Sequence, residues 1–251
     1  MRYFFKEGAD LAAGKVIALE PADQKHAHRV LRLRKGDTVV IADGRNSALQ
    51  GIVEEIGPEK GLVRLTGPPL PAARSPLRLV LMQGLARGEK MDLIIRQAVE
   101  LGVQQIIPVI TGRSIPRFRR SQEEGRAERW RKLVLAAAKQ CRRASLAKVS
   151  PILEFAEALE LLRGRMAIVP WEGEKGLSLE QFLKRPPQEK EAVFLFIGPE
   201  GGFSPPEIAA LTAAGAGTVH LGPRILRTET AAAAAIALVQ AAWGDLGGSG
   251  K

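Results

Sequence analysis

Continuous apolar runs that alternate with helical segments after residue 76 constrain the fold of this chain most. Continuous runs occupy residues 166–169 and 192–197, and the largely apolar residues 77–82 and 103–110 are predicted as further strands. A strand that is buried on both faces has a continuous apolar run, whereas a half-exposed strand alternates apolar and polar side chains. Because helical segments separate the runs, the pattern predicts an α/β domain with a parallel sheet.

The helical segments between these runs have recognisable ends. Residues 89–101 repeat apolar side chains at helical spacing, and residues 128–142 predict a long basic helix. Residues 204–207, Ser-Pro-Pro-Glu, have the pattern of a capping box and predict the start of a helix that ends near residue 215. A last strand is predicted at residues 218–221 and a last helix at residues 228–243.

The first 70 residues follow a different pattern. Short apolar runs at residues 15–19, 37–42 and 51–56 are separated by glycines, and residues 24–33 are the one helical segment. Such runs with regular turn signals predict a small β-barrel. The chain between residues 67 and 76 then holds four prolines, which disfavour both helix and sheet and predict a linker.

These patterns predict a domain organisation. We expect a barrel over residues 1–70, a proline-rich linker over 71–76, the α/β domain over 77–245 and a mobile tail over 246–251. The chain has one cysteine, no early apolar segment typical of a signal peptide, and no apolar run long enough to cross a membrane. We therefore expect a soluble, cytoplasmic protein with no membrane segment.

Positive charge is concentrated in one stretch of the chain. The formal net charge is +10, and only three glutamates oppose the lysines and arginines between residues 113 and 148. Arginine suits bidentate phosphate contacts, so the stretch indicates nucleic-acid binding, the alternative being a solvated helix face. The basic residues of this stretch are Arg113, Arg117, Arg119, Arg120, Arg126, Arg129, Arg131, Lys132, Lys139, Arg142, Arg143 and Lys148.

Two glycine-bearing loops are the candidates for ligand binding. Residues 197–204 (Ile-Gly-Pro-Glu-Gly-Gly-Phe-Ser) and residues 221–230 (Leu-Gly-Pro-Arg-Ile-Leu-Arg-Thr-Glu-Thr) each follow a strand and precede a helix. Ligands bind at such places in α/β sheets. Neither loop has the spacing of a phosphate-binding motif, and Glu200 would repel a phosphate. A neutral or cationic adenosine ligand fits better, the alternative being plain tight turns.

The second loop holds more polar groups than a helix cap needs. Arg224, Arg227, Thr228, Glu229 and Thr230 crowd into one strand-to-helix turn, although one of them would suffice as a cap. The surplus indicates a site, unless the two arginines simply pair with the glutamate. His26, His220 and Cys141 have no metal-ligand spacing, so we expect no metal.

Together these motifs resemble those of the RsmE-type ribosomal RNA small-subunit methyltransferases, a SPOUT-class family, over almost the whole chain. The two loops are the most specific part of the resemblance. Shorter supporting motifs are residues 28–32, 87–92, 100–103, 111–114, 129–130, 140–141 and Arg143. The sequence departs from the family pattern at Gln97, where lysine is expected, and at Ala147, where proline is expected.

The resemblance implies a fold, a reaction and a cofactor. The fold would be a PUA-like N-terminal barrel with a trefoil-knotted α/β domain, assembled as a homodimer. The enzyme would use S-adenosylmethionine to methylate N3 of a uridine in 16S ribosomal RNA, free or in the assembled 30S subunit. The implied cofactor residues are Pro170, Ile197, Gly198, Pro199, Gly201, Leu221, Gly222, Ile225 and Leu226.

Roles in catalysis and RNA binding follow from the same resemblance and from charge. Arg227 is the candidate for stabilising charge on the uracil oxygens, and Glu229 is a candidate base. Trp130 is expected to anchor in the core rather than to stack on a base. The implied RNA-binding residues are His28, Arg29, Arg32, Arg113, Arg117, Arg119, Arg120, Arg129, Arg142 and Arg143.

Three other functions are compatible with parts of the pattern. A related SPOUT methyltransferase with another RNA target would carry similar loops. A ribosome-assembly factor without catalysis would need only the barrel and the arginines. A nucleotide-dependent oxidoreductase is disfavoured because the phosphate fingerprint is missing.

Overall fold

The computed structural model describes residues 2–71, 75–114, 123–189 and 191–248. The chain forms two compact units. The first consists of Met1–Arg74 together with Leu135–Leu146, and the second of Ser75–Val134 together with Ala147–Lys251.

The first unit is a curled five-stranded sheet with one short helix. In the sheet the strands follow the order β1-β3-β4-β5-β2, and all neighbours are antiparallel except β1 and β3. Its elements are β1 (Arg2–Phe5), β2 (Val16–Ala18), α1 (Pro21–Arg29), β3 (Thr38–Ala42), β4 (Ala48–Ile56) and β5 (Gly61–Pro69).

One face of this sheet is apolar and buried. Along β4 and β5 buried and less buried side chains largely alternate, as expected for strands with one face on a core. The core side chains include Phe4, Val39, Ile41, Leu49 and Leu65.

Residues 135–146 are grouped with the first unit, which the sequence-based division at residues 71–76 did not include. Lys139 Nζ lies 2.5 Å from Asp23 Oδ1. Ser145 forms a parallel bridge with Gly44, and the Leu146 N–H donates to the Gly44 carbonyl at 2.9 Å. These contacts attach the segment to the curled sheet.

The second unit is built on a seven-stranded sheet whose strand pairings are all parallel. The strand order is β12-β10-β11-β6-β7-β8, with β9 also pairing with β7. The strands are β6 (Arg78–Gly84), β7 (Gln105–Ile110), β8 (Lys148–Val149), β9 (Leu153–Glu154), β10 (Ala167–Pro170), β11 (Ala192–Ile197) and β12 (Gly217–Val219).

Helices follow these parallel strands along the chain, the last of them after β12. They are α2 (Glu89–Glu100), α3 (Glu123–Cys141), α4 (Phe155–Leu162), α5 (Leu179–Phe182), α6 (Pro205–Ala213) and α7 (Thr228–Trp243). The strands β6, β7, β10 and β11 are almost wholly buried. The predicted α/β fold with a parallel sheet is confirmed.

Several details differ from the sequence-based prediction. The strands β1, β5, β8 and β9 and the helices α4 and α5 were missed. Two- to four-residue strands and short helices leave weak periodic signals, and the nine-residue β5 ends in prolines that were read as linker. The helix α1 ends at Arg29 instead of residue 33, and Arg32 has a φ of 49°, which a helix excludes. Trp130 is 4% exposed, as expected for a core anchor.

Part of the predicted proline-rich segment is strand. Pro68 and Pro69 end β5, and Pro69 lies opposite Leu49 of β4. The strand β2 pairs with β5 only at Leu62–Arg64. At Pro68 and Pro69, β5 therefore pairs with β4 but no longer with β2. The missing N–H groups of the two prolines cost no hydrogen bond on the edge that β2 has left.

In the described part of the chain, no helix is long and apolar enough to cross a membrane.

The predicted capping box at the start of α6 is present, and its glutamate does more than cap. Glu207 Oε2 accepts hydrogen bonds from the Ser204 N–H at 2.8 Å and hydroxyl at 2.7 Å. Its Oε1 accepts from the N–H of Gly112, which follows β7, at 2.7 Å. This carboxylate is buried and joins two loops at one edge of the sheet.

We predict that Glu207→Ala lowers the free energy of unfolding by about 3 kcal/mol, because it leaves buried donors without an acceptor. Urea denaturation followed by circular dichroism measures the change. Glu157→Ala is the matched control, since Glu157 closes an exposed capping box on α4 and should cost only about 0.5 kcal/mol. Equal losses in both variants would contradict the buried role.

Candidate active site

The two glycine-bearing loops lie at the carboxyl edge of the parallel sheet. Residues 198–204 connect β11 to α6, and residues 220–227 connect β12 to α7. The strands β12, β10, β11 and β6 are consecutive neighbours, and parallel strands end at the same edge of a sheet. The loops that follow these four strands therefore lie close together, as ligand-binding loops of α/β sheets do.

A cavity of about 510 Å³ opens between the two loops. Its volume suits a small organic ligand. It is lined by Lys90, Pro170, Glu172, Ile197, Gly198, Pro199, Glu200, Gly201, Gly202, Phe203, Ile225, Leu226, Arg227, Thr228 and Ala231.

A smaller cavity of about 110 Å³ lies beside the first and extends along the second loop. It is lined by His220, Leu221, Gly222, Pro223, Arg224 and Trp171, and it shares Pro170, Glu172, Ile225, Leu226 and Ala231 with the larger cavity. The two cavities thus form one continuous candidate site.

The structure brings all nine predicted cofactor residues to these two cavities. Leu221 and Gly222 line only the smaller cavity, and the other seven line the larger one. Their role in binding a cofactor stays a prediction. Sequence reasoning assigned no cofactor role to Lys90 and Glu172, which belong to neither glycine loop; Lys90 lies within the supporting motif at residues 87–92, and Glu172 lies in no motif. Both follow strands that end at the same edge, and that position was the available signal.

The strand β6 approaches the first loop so closely that a side chain is excluded. A Cβ added to Gly84 would lie 2.5 Å from the Pro199 nitrogen, closer than any normal contact. The first loop itself turns at Gly202, whose φ of +63° is left-handed. Glycine at these two positions allows the loop to fold against the end of β6.

A buried hydrogen-bond cluster joins the two loops to β6. The Thr228 hydroxyl donates to the Gly198 carbonyl at 2.6 Å. Gln83 Nε2 lies 3.0 Å from Thr228 Oγ1 and 3.3 Å from the Gly198 carbonyl oxygen. Gln83 is fully buried, so water does not compete for these hydrogen bonds. Gln83 and Thr228 were not among the predicted cofactor residues. Their hydrogen bonds fix the Gly198 carbonyl of the first loop in place.

Glu200 is held in place at the wall of the larger cavity. Its Oε1 accepts from the Arg87 N–H at 3.0 Å and lies 3.5 Å from Lys90 Nζ. Burial by itself raises the pKa of the Glu200 carboxyl. Hydrogen bonds from the N–H groups of Arg87 and of Glu200 itself, with the charge of Lys90, outweigh this and leave the pKa below its ordinary value. Glu200 therefore serves as a fixed negative charge.

The two candidate catalytic residues occupy different environments. Arg227 is exposed and lines the larger cavity. Glu229 is half-buried and lines neither cavity, and its Oε2 is buried without a hydrogen-bond partner. Among the described residues, Arg224 and Arg227 form no ion pair with Glu229. The geometry favours Arg227 over Glu229 as a group that reaches a bound ligand.

The predicted RNA-binding arginines of the second unit contact the site or the core. Arg113 is exposed, and its Nη1 donates to the Gly201 carbonyl at 3.0 Å. Arg129 forms an ion pair with the buried Asp92, while 61% of its side chain stays exposed. Arg113 therefore lies directly beside the first loop. Three further predicted residues, Arg117, Arg119 and Arg120, lie outside the described residues.

In the first unit, His28 is half-buried on α1, and Arg29, Arg32 and Arg142 are exposed. Arg142 has a φ of 59° at the end of α3. Arg143, in contrast, is buried, and its Nε donates to Ser145 Oγ at 2.9 Å. Its side chain is thus less accessible to RNA than that of Arg142, and its role in RNA binding stays a prediction.

The remaining histidine of interest supports the second loop. His220 Nδ1 accepts a hydrogen bond from the Gly222 N–H at 3.2 Å. No group of three or more potential metal-ligating side chains is found in the part of the chain that the structure describes. His220 therefore contributes to loop geometry.

Comparisons with known proteins agree with this architecture. A family model described as an RNA methyltransferase domain matches residues 73–240, and one described as an RNA methyltransferase PUA domain matches residues 19–66. Ribosomal RNA small subunit methyltransferase E of Mycobacterium bovis is 32% identical over 234 residues, which are 90% of this chain and 86% of that protein. The protein of the same name from Synechocystis is 30% identical over 227 residues, covering 90% of this chain and 73% of its own length.

A solved structure is also similar over the whole chain. The ribosomal RNA small subunit methyltransferase E from Neisseria gonorrhoeae, bound to S-adenosyl methionine, superposes with a TM-score of 0.88 at 30% identity. The match covers 98% of this chain and 99% of that one. On the family models and these relatives, the chain belongs to the ribosomal RNA small subunit methyltransferase E family of RNA methyltransferases.

Proposed function

We propose that this protein transfers a methyl group from S-adenosylmethionine to N3 of a uridine in the 16S RNA of the small ribosomal subunit. The observation that carries the proposal is the 510 Å³ cavity between two glycine-bearing loops, in a chain that matches this family over nearly its full length. The Neisseria relative is bound to S-adenosyl methionine, which supports the choice of cofactor.

The residues present fit this cofactor. Apolar side chains such as Ile197, Leu226 and the 85%-exposed Ile225 offer surfaces for an adenine ring. Backbone groups of the two loops offer polar contacts. The carboxylate of Glu172 at the cavity disfavours a polyphosphate and favours a ligand with positive charge, whereas that of Glu200 is paired with Lys90.

When bound, S-adenosylmethionine supplies an electrophilic methyl group for displacement at carbon. The chain's contribution is to position the two reactants and to manage charge on the uracil as N3 loses its proton. Arg227, which is exposed at the cavity, is our candidate for stabilising negative charge on the uracil oxygens. Glu229 is the less favoured candidate for the base, because its side chain does not line the cavity.

The partner that fits the exposed arginines is RNA, as free 16S ribosomal RNA or within the 30S subunit. We further propose a homodimer, a trefoil-knotted second domain and a cytoplasmic location, where bacterial ribosomes are assembled. These last three points rest on the family resemblance.

The decisive experiment is methylation of unmodified small ribosomal subunits, and of free 16S RNA, by the purified protein with labelled S-adenosylmethionine. Mapping of the modified nucleotide should locate a single N3-methyluridine. Methylation of another RNA or another atom would replace this proposal with a related methyltransferase. Binding of RNA without binding of S-adenosylmethionine would indicate an assembly factor.

We predict that Arg227→Ala lowers kcat about 100-fold at saturating RNA and cofactor, because it removes charge stabilisation in the transition state. The Arg227 side chain makes no helix-capping hydrogen bond, so the variant should fold normally. Arg185→Ala, an exposed change away from the two cavities, is the control. A kcat close to that of the wild type would exclude the assigned role.

We predict that Thr228→Val raises the Kd for S-adenosylmethionine five- to tenfold. Valine has the shape of threonine but cannot hold the Gly198 carbonyl, so the first loop loses its anchor. Isothermal titration calorimetry measures the change. Thr230→Val, an exposed substitution two residues along α7, should leave the Kd unchanged, and an equal effect there would argue against the cluster.

We predict that RNA affinity falls steeply with salt, since arginine contacts to phosphate release counterions. Arg29→Gln should reduce the slope of log K against log salt concentration by about one. Filter binding of 16S RNA fragments between 50 and 300 mM salt, roughly the range in which phosphate contacts weaken, tests this. Arg163→Gln, which removes an arginine paired with Glu160, should keep the wild-type slope. A flat salt dependence would remove these arginines from RNA binding.

A further inference from the structure

Glu172 supplies a carboxylate at the wall of the candidate site. It follows β10 by two residues and lines both cavities. Within the described residues it has no hydrogen-bond or ion-pair partner, whereas Glu200 is held by Arg87 and Lys90. An unpaired carboxylate at a cavity wall is available to a ligand.

The backbone that presents Glu172 is firmly held on both sides. The Trp171 N–H donates to the Val219 carbonyl at 2.9 Å. Glu174 accepts hydrogen bonds from the N–H of Gly176 at 2.7 Å and from the Thr218 hydroxyl at 2.8 Å. These bonds tie the turn after β10 to β12 and to itself. The backbone at Glu172 is therefore held by its neighbours, while its side chain is exposed.

The Glu172 carboxylate reaches the first glycine loop. A Cβ added to Gly202 would lie 2.7 Å from Glu172 Oε1 and 3.3 Å from its Oε2. The absence of a side chain at Gly202 leaves room for the carboxylate. Glu172 thus bridges from the end of β10 to the loop after β11, and its charge lies at the junction of the two cavities.

The charges around the larger cavity are arranged asymmetrically. Four charged side chains line it: Lys90, Glu172, Glu200 and Arg227. Lys90 and Glu200 lie 3.5 Å apart and largely compensate each other. Glu172 remains on the β10 side and Arg227 on the α7 side. The cavity therefore offers one site for a cation and one for an anion.

We infer that Glu172 is a specificity-determining residue that binds the positively charged part of the methyl donor. This inference rests on the proposed function. S-Adenosylmethionine carries a sulfonium and an α-ammonium, and a carboxylate at the cavity attracts either group. The same carboxylate repels the phosphates of nucleotides that share the adenosine moiety. Glu172 thereby selects a cationic adenosine ligand over neutral and anionic ones.

The experiment compares binding of three probes to the full-length protein and to Glu172→Gln by calorimetry. S-Adenosylmethionine has both cationic groups, S-adenosylhomocysteine has only the ammonium, and 5′-methylthioadenosine has neither. We expect the variant to bind S-adenosylmethionine about tenfold more weakly and 5′-methylthioadenosine as tightly as the wild type. If the variant also binds S-adenosylhomocysteine more weakly, the ammonium is the group that Glu172 binds. If its affinity for S-adenosylhomocysteine is unchanged, the sulfonium is the group bound.

Two matched variants make the result specific to a charge at this position. Glu180→Gln removes one exposed carboxylate on α5, away from both cavities, and should leave all three affinities unchanged. Glu172→Asp keeps the charge and should retain most of the preference for S-adenosylmethionine over 5′-methylthioadenosine. Thermal denaturation of each variant checks that the fold is intact.

Two outcomes overturn the inference: unchanged affinity of Glu172→Gln for S-adenosylmethionine, or equal weakening of all three probes. A wild-type protein that binds no S-adenosylmethionine would instead contradict the proposed function. The wild-type titration therefore separates failure of the inference from failure of the function on which it rests.

Discussion

The hydrogen bond from the Thr228 hydroxyl to the Gly198 carbonyl holds the candidate site together. It joins the first residue of α7 to the loop that follows β11. Gln83 of β6 donates hydrogen bonds to both of its partners. A buried amide and hydroxyl are costly unless paired. The Gln83 Nε2 and the Thr228 hydroxyl pair with each other and with the loop carbonyl, which fixes three chain segments together, while Gln83 Oε1 is buried without a partner. Gly198 and Thr228 of this cluster line the larger cavity.

The same edge of the sheet is reinforced from its other side by Glu207, which joins the start of α6 to the loop after β7. The two anchors differ in kind, since one is neutral and fully buried and the other is a carboxylate with three donors. Between them the loop of residues 198–204 is fixed at both of its ends. A loop fixed in this way presents its backbone groups to a ligand without a large loss of conformational entropy on binding.

The parts that sequence could predict are those with strong local signals. The runs at residues 192–197 and 77–82 indicated buried strands, and the Ser-Pro-Pro-Glu pattern located the start of α6. The nine predicted cofactor residues also reach the two cavities, because loops after parallel strands must meet at one edge. The strand and helix predictions needed only periodicity and turn chemistry, whereas the nine cofactor residues were implied by the family resemblance.

The parts that sequence could not predict depend on contacts between distant positions. Gln83 follows an apolar run in the sequence and has no motif of its own. Its amide has a role because the fold places Thr228 of α7 within hydrogen-bond distance. Arg143 looked like a surface cation, yet folding buries it against Ser145. The grouping of residues 135–146 with the first unit depends on Asp23 and Gly44, about a hundred positions earlier. No local pattern encodes such pairings.

The charge arrangement explains why two glycine loops alone underdetermine the ligand. Bare backbone and apolar walls suit any adenosine derivative, so the loops set the shape of the site but not the charge of its ligand. The discrimination must come from side chains that the loops do not contain, and Glu172 and Lys90 come from the segments after β10 and β6. Lys90 compensates Glu200, which leaves Glu172 as the uncompensated negative charge. The residue that favours a cationic methyl donor, Glu172, therefore lies outside the motifs that define the family resemblance.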